Sequence, residues 1–369
     1  MKSLPYIAAL TTALTSPAFA DGFDEAGLLA RAKTEPALTV YDSTGKIREQ
    51  AAAFAKAYGL EATGTKAKAP QIIKIVSGEA KAGNVQADVV ILSDLPAATA
   101  QLIKPGYVTS YVPEDMVGKI DARYQSPLVV SNAPVVWAYN TGLNQSCPVD
   151  NIWALTDPEW KGHVSMPDPQ AKAMYTDWFN QLAMHYDTQV AAAYEAHYGK
   201  PLKTGFASAT EAFVAALAAN QPLLTNSDSD VAAAVGAPDT TENFIGIMST
   251  AKFRENENGM KLGICASMSP MVGLFYPSFM LTMTRTDSPA AAKLFTHYML
   301  TEAGWAPQAV DGKMSTNREN AVPADEPSGV AGYADKMLNY DTATSGDDWV
   351  ARQDWQDLWA LARAGQLGQ

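Results

Sequence analysis

The sequence predicts an α/β protein with two lobes, joined by crossover strands and a hinge. Three observations support this fold class. Strand-like runs alternate with amphipathic helical patterns, which is typical of an open and mostly parallel sheet. Residues 87–92 form a nearly continuous apolar run, as expected of a strand that is covered on both faces. Residues 128–139 contain two strand-like runs that indicate a crossover into a second lobe.

In the first lobe, the residue patterns predict a strand, a polar turn and a helix in quick succession. Residues 38–41 are rich in β-branched and aromatic side chains, and the Ala-rich stretch 47–58 has helical periodicity. A helix precedes this unit over residues 21–36. We also predict a strand at 72–76, after Pro70, and a helix over 97–103.

The remaining elements follow from the same signals. Ser208 and Glu211 form a capping-box pattern, which predicts a helix that runs to Ala219. The other predicted strands are 128–130, 135–139, 223–225, a run starting at 261, and 278–283, and the other predicted helices are 174–186, 188–198, 231–235, 289–300 and 355–364.

These elements suggest a division of the chain. We expect residues 21–137 and 261–305 to form the N-terminal lobe and residues 138–260 to form the C-terminal lobe. Residues 306–369 are expected to be a C-terminal helical segment that packs on both lobes. Hinged closure of two such lobes around a ligand is a recurrent design.

Composition excludes some classes of partner. The chain has 369 residues, a hydrophobic content of 47% and a formal net charge of −12. This is enough apolar material for two compact cores. A nucleic-acid-binding protein would show a basic stripe, and the sequence has none, so we expect no nucleic-acid partner. The acidic balance also argues against binding to an anionic membrane surface.

The N-terminus carries a processing signal. Lys2 is followed by a short apolar run and by Ala18-Phe19-Ala20, an A-x-A cleavage pattern. Residues 1–20 therefore resemble a secretory signal peptide cleaved after Ala20, and a buried N-terminal helix is the alternative. We expect a mature protein that is soluble outside the cytoplasm.

Two cysteines leave two readings open. Cys147 and Cys265 are the only cysteines, and an exported protein meets oxidising conditions in which they can form a disulfide. They can equally be two separate small buried side chains.

The turn after the first strand is a candidate anion site. Ser43, Thr44 and Gly45 lie between a strand and a helix, so free helical N–H groups and the helix dipole point towards them. Lys46 adds positive charge. The alternative is that Ser43 or Thr44 simply caps the helix. The sequence lacks the G-x-x-x-x-G-K-[ST] pattern of the phosphate-binding loop, which argues against a nucleotide hydrolase.

Polar residues also follow two other strands. Ser93 and Asp94 end the buried strand at 87–92, and ligands gather at the carboxyl ends of strands in open sheets. Ser227, Asp228 and Ser229 end the strand at 223–225 and could bind the hydroxyl groups of a sugar-like solute. Helix capping, a surface turn or a calcium site are the alternatives for these residues.

Three further residues complete the predicted ligand-binding set. Asp168 and Gln170 belong to a rigid proline-flanked turn before a helix. Tyr276 could stack on a ligand or donate a hydrogen bond to it, and a core or hinge aromatic is the alternative.

Catalytic signals are weak. The four histidines show no H-E-x-x-H spacing, and neither a G-x-S-x-G nor a G-x-G-x-x-G pattern occurs. We therefore expect no catalytic residues, no bound metal and no cofactor.

Several segments resemble a known family. The chain is similar to the bacterial extracellular solute-binding proteins grouped around the ferric-ion-binding proteins, which include binders of phosphonates and sugar phosphates. The matching segments span roughly 38–305, and they are LTVYDSTGK, ADVVILSD, VVWAYNTG, DPEWKGHVSMPDP, NQPLLTNSDSD and SPAAAKLFTHYMLTEAGW.

The resemblance implies a type II periplasmic binding protein fold in a monomer that serves an ABC permease of the inner membrane. Ferric binders of this kind typically place two adjacent tyrosines where this chain has Ser227-Asp228-Ser229, and no adjacent tyrosines occur here. A phosphorylated organic solute is therefore the expected ligand, with phosphate at Ser43 and Thr44 and a polyol near Asp228.

Three rival functions stay open. A ferric-ion-binding protein would use the same fold with fewer tyrosines. A secreted phosphatase would need a nucleophile or metal cluster that the sequence does not display. A sensor partner of a membrane receptor would bind the same solute without import.

Overall fold

The computed structural model describes residues 22–367. The predicted signal peptide and its cleavage site lie outside the described residues. The strands are β1 (Leu38–Asp42), β2 (Ala62–Lys66), β3 (Val89–Leu92), β4 (Val108–Thr109), β5 (Val129–Asn140), β6 (Val164–Pro167), β7 (Leu223–Thr225), β8 (Ile245–Ser249), β9 (Leu262–Ile264), β10 (Gly273–Met283), β11 (Met314–Ser315) and β12 (Met337–Leu338).

The helices alternate with these strands. They are α1 (Glu25–Ala32), α2 (Ile47–Tyr58), α3 (Ala69–Ala82), α4 (Leu95–Ala98), α5 (Met174–Gln181), α6 (Asp187–Tyr198), α7 (Ala209–Ala219), α8 (Asp228–Gly236), α9 (Pro289–Met299), α10 (Glu302–Ala309) and α11 (Ser345–Arg363). A π-helical turn extends α4 over Thr99–Ile103, and another extends α5 over Leu182–Tyr186. None of the described helices is long and apolar enough to cross a membrane.

The strands follow the order β2-β1-β3-β10-β5-β8-β6-β7. On one side, β2, β1 and β3 are parallel, and β10 pairs with β3 in the antiparallel sense. On the other side, β8, β6 and β7 are parallel, and β5 pairs with β8 in the antiparallel sense.

The predicted strand at 72–76 is wrong, because those residues lie within α3. Proline is well placed in the first turn of a helix, and Pro70 occupies that position in α3. Ile72, Ile73 and Val76 share the buried face, so their β-branched side chains reflect burial against the sheet.

The strand that the sequence did not reveal is β2, whose five residues, Ala62–Lys66, are all at least partly exposed. As an edge strand it carries no apolar alternation for a pattern to detect. Gly64 is required there, since a Cβ atom would lie 2.3 Å from the carbonyl oxygen of Ile47.

The two strands predicted at 128–130 and 135–139 are one continuous strand, β5. The prediction placed residues 132–134 between two separate runs. On one side, β5 pairs with β11 through Ser131 and Asn132 and with β8 from Val135 onwards. Pro134 lies between these two partners, a position in which a strand tolerates a residue that has no N–H group to donate.

Burial separates the helices into layers. One core cluster joins α1, α2 and α9 to the first side of the sheet, and a second joins α8 to the other side. The largest cluster joins residues of both sides, including Val90 of β3, Trp178 of α5 and Trp355 of α11. The apolar core is therefore continuous between the lobes along this face.

Cys147 and Cys265 form a disulfide, which settles the reading that the sequence left open. Cys265 is fully buried and follows β9, which pairs directly with the end of β5. The bond joins the loop after β5 to the segment after β9, two strands that are neighbours in the sheet.

Candidate ligand-binding site

The turn after β1 is held by the carboxylate of Asp42. Its Oδ1 atom accepts a hydrogen bond from the Thr44 amide at 3.0 Å, and the Ser43 hydroxyl lies at 3.5 Å. Thr44 Oγ1 in turn accepts from the amide of Lys46 at 3.4 Å. The Arg48 amide donates to the Gly45 carbonyl at 3.4 Å, and Lys46, the residue before α2, makes no side-chain capping bond. The polar turn therefore lies at the positive end of a helix that its N-cap side chain does not cap.

Gly45 lies in the turn with Ser43 and Thr44. A Cβ atom at this position would lie 3.7 Å from the Lys66 side chain, an ordinary contact within the described part of the chain. The role of Gly45 in ligand approach therefore stays a prediction.

A second lysine reaches this turn from far along the chain. Lys313 precedes β11, and its Nζ atom donates to Gln308 Oε1 at 2.7 Å. Burial lowers the pKa of Lys313, while the charge of Asp42 raises it and that of Lys46 lowers it further. Two lysines and a carboxylate are thus electrostatically coupled at the start of α2.

Asp42 itself is an unusual buried acid. It is 2% exposed, and within residues 22–367 its Oδ2 atom has no hydrogen-bond partner. Burial raises the pKa of Asp42 to about 6, against the lowering effect of the Lys313 charge and of the turn's hydrogen bonds.

The second polar cluster lies at the start of α8. Ser227 caps this helix, since its hydroxyl accepts from the Asp230 amide at 3.2 Å. Asp228 pairs with Lys172 at 2.9 Å, and Lys252 donates to the Ser229 hydroxyl at 2.9 Å. The capping alternative is therefore realised for Ser227, while Asp228 and Ser229 lie in a group of alternating charge.

A third cluster brings two of the predicted residues together. Asp94 caps α4 through the Ala97 amide and also accepts from Arg352 Nη2 at 2.6 Å. Tyr276 donates to Asp177 Oδ2 at 2.8 Å, and Arg352 binds the same carboxylate. Burial first, and then the charge of Asp177, raise the pKa of Tyr276 well above its ordinary value. The Tyr276 side chain is therefore a neutral phenol in β10, one of the two strands that run through both lobes.

The turn after β6 is tied to the C-terminal helix. Asp168 accepts from the Gln170 amide at 2.9 Å, and the Gln170 side chain donates to the Gln356 carbonyl at 2.7 Å. Both residues line an open surface depression of about 450 Å³, together with Trp359 and Arg363 of α11. Ser93 is half-buried at the end of β3.

The predicted residues therefore fall into separate groups. No hydrogen bond in the described part of the chain joins Ser43 or Thr44 to Ser227, Asp228 or Ser229. Within residues 22–367, no three His, Cys, Asp or Glu side chains are arranged to hold a metal ion.

Comparison with known families decides the identity of the chain. The sequence profile described as bacterial extracellular solute-binding protein matches residues 38–311. The chain belongs to this solute-binding family. No curated protein matches this solute-binding protein closely in sequence.

Solved structures confirm the fold of this solute-binding protein. The iron-bound HitA from Pseudomonas aeruginosa superposes with a TM-score of 0.65 at 17% identity, over 88% of this chain and 99% of that one. AfuA from Actinobacillus pleuropneumoniae, with exogenous fructose-6-phosphate bound, gives 0.61 at 18%, over 88% and 99%. The substrate-binding protein of an ABC transporter from Agrobacterium tumefaciens gives 0.66 at 13%, over 91% and 96%. The expected two-lobed, type II periplasmic binding protein fold is confirmed.

Sequence reasoning missed the basic residues of this solute-binding protein. Lys172 comes four residues after Asp168, which we selected as a ligand-binding residue, so its place beside the predicted turn could have identified it from the sequence. Lys252 follows β8, Lys313 follows α10 and Arg352 lies within α11, and only the fold brings them to the polar strand ends.

Proposed function

We propose that this protein is the periplasmic solute-binding component of an ABC importer, and that it captures a small anionic, phosphorylated organic solute between its lobes. The observation that supports this most directly is the turn of Ser43 and Thr44 at the uncapped start of α2, beside Lys46 and Lys313. Backbone N–H groups, hydroxyls and ammonium groups are the partners that phosphate oxygens require.

Charge at the turn contrasts with charge over the whole chain. The protein carries a formal net charge of −12, which would repel an anion at long range. Lys46 and Lys313 supply positive charge at the turn beside the carboxylate of Asp42, and Lys46 lies 3.6 Å from that of Glu49. The helix N-terminus adds a fixed partial charge of about half a unit. These positive groups favour anions that dock closely rather than anions in general.

The opposite lobe offers partners for hydroxyl groups. Asp228 and Ser229 are held by Lys172 and Lys252, so carboxylate, hydroxyl and ammonium groups alternate at the start of α8. A polyol presents both donors and acceptors, and such a mixed surface can satisfy them. AfuA, which has the same fold, was solved with fructose-6-phosphate, and this favours a ligand of the same class.

We propose non-covalent capture without a chemical step. The first lobe would comprise residues 21–137 and 261–305, the second lobe residues 138–260, and β5 and β10 would form the hinge between them. Contacts from both lobes would stabilise a closed form, and this form would dock as a monomer on an inner-membrane permease. A ligand shifts this equilibrium only by its differential affinity for the closed form.

A ferric ligand is less well supported. The phenols of Tyr175 and Tyr276 are fully buried within the fold, and burial raises the pKa of each well above its ordinary value. A tyrosinate ligand would have to overcome that preference. The start of α8 offers Ser227, Asp228 and Ser229 in place of tyrosines.

A melting-temperature screen tests the ligand class. Glucose 6-phosphate, an aminoalkylphosphonate and ferric citrate are added separately, and a ligand at 100 times its dissociation constant should add about 2.7 kcal/mol of stability. We expect a shift with a phosphorylated solute. A shift with ferric citrate alone, together with a visible tyrosinate absorption band, would show instead that the protein binds ferric ion. Hydrolysis of a chromogenic phosphate ester would show instead that it is an enzyme.

A double variant locates the anion. Ser43→Ala/Thr44→Ala should abolish most of the shift caused by the phosphorylated solute and leave the ligand-free melting temperature nearly unchanged. The matched control, Ser77→Ala/Thr188→Ala, removes two hydroxyls from helix surfaces and should bind normally. Unchanged binding in the Ser43→Ala/Thr44→Ala variant would mean that this turn only caps the helix and does not bind the solute.

A further inference from the structure

The chain beyond residue 336 lies along both lobes. We call residues 337–363, which comprise β12 and α11, the C-terminal segment. β12 pairs with β10 in the hinge, and α11 packs on α5 and α7 of the second lobe and on α4 of the first. Residues of this segment therefore contact elements that would separate if the lobes moved apart.

Arg352 lies at the centre of these contacts. Its guanidinium binds Asp177 of α5 through Nε at 2.7 Å and Nη2 at 2.9 Å, and binds Asp94 at the end of β3 through Nη2 at 2.6 Å. The side chain of Arg352 is 13% exposed and that of Asp177 is fully buried. One cation thus joins a carboxylate of each lobe in a largely dry setting.

Other polar contacts repeat the same pattern. The Thr99 hydroxyl lies 3.2 Å from that of Ser345, so the π-helical turn after α4 also contacts the start of α11. Asn339 accepts through Oδ1 from Tyr124 at 2.9 Å and through its carbonyl from Tyr186 at 2.7 Å. Tyr124 precedes the hinge strand β5, whereas Tyr186 ends the π-helical turn after α5.

We propose that the C-terminal segment is an interlobe clasp, in which Arg352 holds Asp94 of the first lobe to Asp177 of the second and favours the closed arrangement before any ligand binds. If the Asp94 edge moved away, the guanidinium would keep only one of its two carboxylates. Charge-assisted hydrogen bonds in a partly desolvated site are the strong ones, so this contact opposes opening.

The clasp has a consequence for affinity. The apparent dissociation constant equals the intrinsic one divided by the fraction of protein in the binding-competent state. A clasp that raises this fraction lowers the cost of closure for whatever solute is bound. The proposal depends on the two-lobed fold and not on the class of ligand.

Spin labels test the clasp in ligand-free protein. Lys81→Cys and Lys200→Cys place labels on exposed positions, in the last turn of α3 and just after α6, and double electron–electron resonance gives their distance distribution. Adding Arg352→Gln should raise the ratio of long to short distances by about tenfold or more, as expected for loss of a charge-assisted hydrogen bond. A distribution that matches the parent protein would overturn the proposal.

Two further variants separate the clasp from simple packing. Arg363→Gln removes an arginine of the same helix whose guanidinium, within residues 22–367, donates to the Pro222 carbonyl of the second lobe and to no carboxylate, and it should leave the distances unchanged. Asp94→Ser keeps a good cap for α4 but removes the carboxylate, and it should open the lobes as Arg352→Gln does even if the latter folds poorly. Equal opening in Arg363→Gln, or none in Asp94→Ser, would contradict the clasp. Since no solute is present, failure here leaves the ligand proposal intact.

Discussion

Asp42 combines nearly complete burial with a carboxylate oxygen that has no hydrogen-bond partner in the described chain. Its pKa is raised to about 6, so the folded protein binds this proton more tightly than the unfolded chain does. The stabilisation is present in full below pH 4 and is lost as the pH rises through 6. The charged form therefore weakens the fold at neutral pH.

The variant Asp42→Asn should remove this pH dependence. Relative to the parent protein, its free energy of unfolding should improve between pH 4 and pH 7 by up to about 3 kcal/mol, the value of the pKa shift. Urea denaturation at several pH values measures the difference in free energy of unfolding between the variant and the parent protein. The other carboxyl groups with raised pKa values contribute equally to both proteins and cancel in this difference. Parallel pH profiles for the two proteins would contradict the assignment.

Lys313 provides a second test at the same turn. Lys313→Met keeps the length of the side chain but removes its charge, so binding of a phosphorylated solute should weaken by about tenfold or more. Isothermal titration with glucose 6-phosphate measures the loss. Lys200→Met, an exposed lysine of a distant loop, is the control and should bind as the parent does.

Single residues were predictable only where the local sequence carried the signal. Ser43 and Thr44 stand between a strand and a helix, and the structure places them in that turn. Lys313 and Arg352 had no such signal, because each reaches its partner through the packing of α10 or α11. Asp94 was flagged as a ligand-binding residue or a helix cap, and its carboxylate caps α4 and also binds Arg352.

Among the elements, helices with a clear apolar face were predicted best. α2 begins and ends where its periodicity indicated, at Ile47 and Tyr58. α3 was missed because three buried β-branched residues resemble a strand when Pro70 is read as a break instead of a first turn. β2 escaped detection because an exposed edge strand carries little hydrophobic signal.

The disulfide links the segments that follow two strands, and we expect it to stabilise the fold. Cys147 and Cys265 close a loop of 118 residues, which restricts the unfolded chain strongly. Cys147→Ala/Cys265→Ala should lower the free energy of unfolding by about 2–5 kcal/mol, and urea denaturation measures the loss. Reduction of the parent protein by dithiothreitol should reproduce it. Equal stability with and without the bond would show that the unfolded chain is not restrained by it.

At the scale of the molecule, the sequence predicted two lobes but not how closely they are joined. β5 and β10 run through both lobes and pair with each other from Gly273 to Phe279. The largest core cluster also draws on both, and the C-terminal segment adds polar contacts. These links depend on tertiary packing between distant segments, which local patterns do not encode.

We expect this continuity to make unfolding a single event. Differential scanning calorimetry of the ligand-free protein should show one transition, with calorimetric and van't Hoff enthalpies that agree. Two resolved peaks would mean that the lobes unfold independently in spite of the shared strands. The Arg352→Gln variant should keep one transition, because β5, β10 and the apolar cluster remain.

The long strands β5 and β10 also limit how such proteins can exchange parts during evolution. On the proposed bounds, the first lobe is built from two separated stretches, 21–137 and 261–305, so it does not correspond to one uninterrupted stretch of coding DNA. A single recombination between two related genes at the start of the second lobe would leave the first lobe with segments from different parents. New specificities in this architecture are therefore expected to arise by point substitution at strand ends more readily than by shuffling of whole lobes.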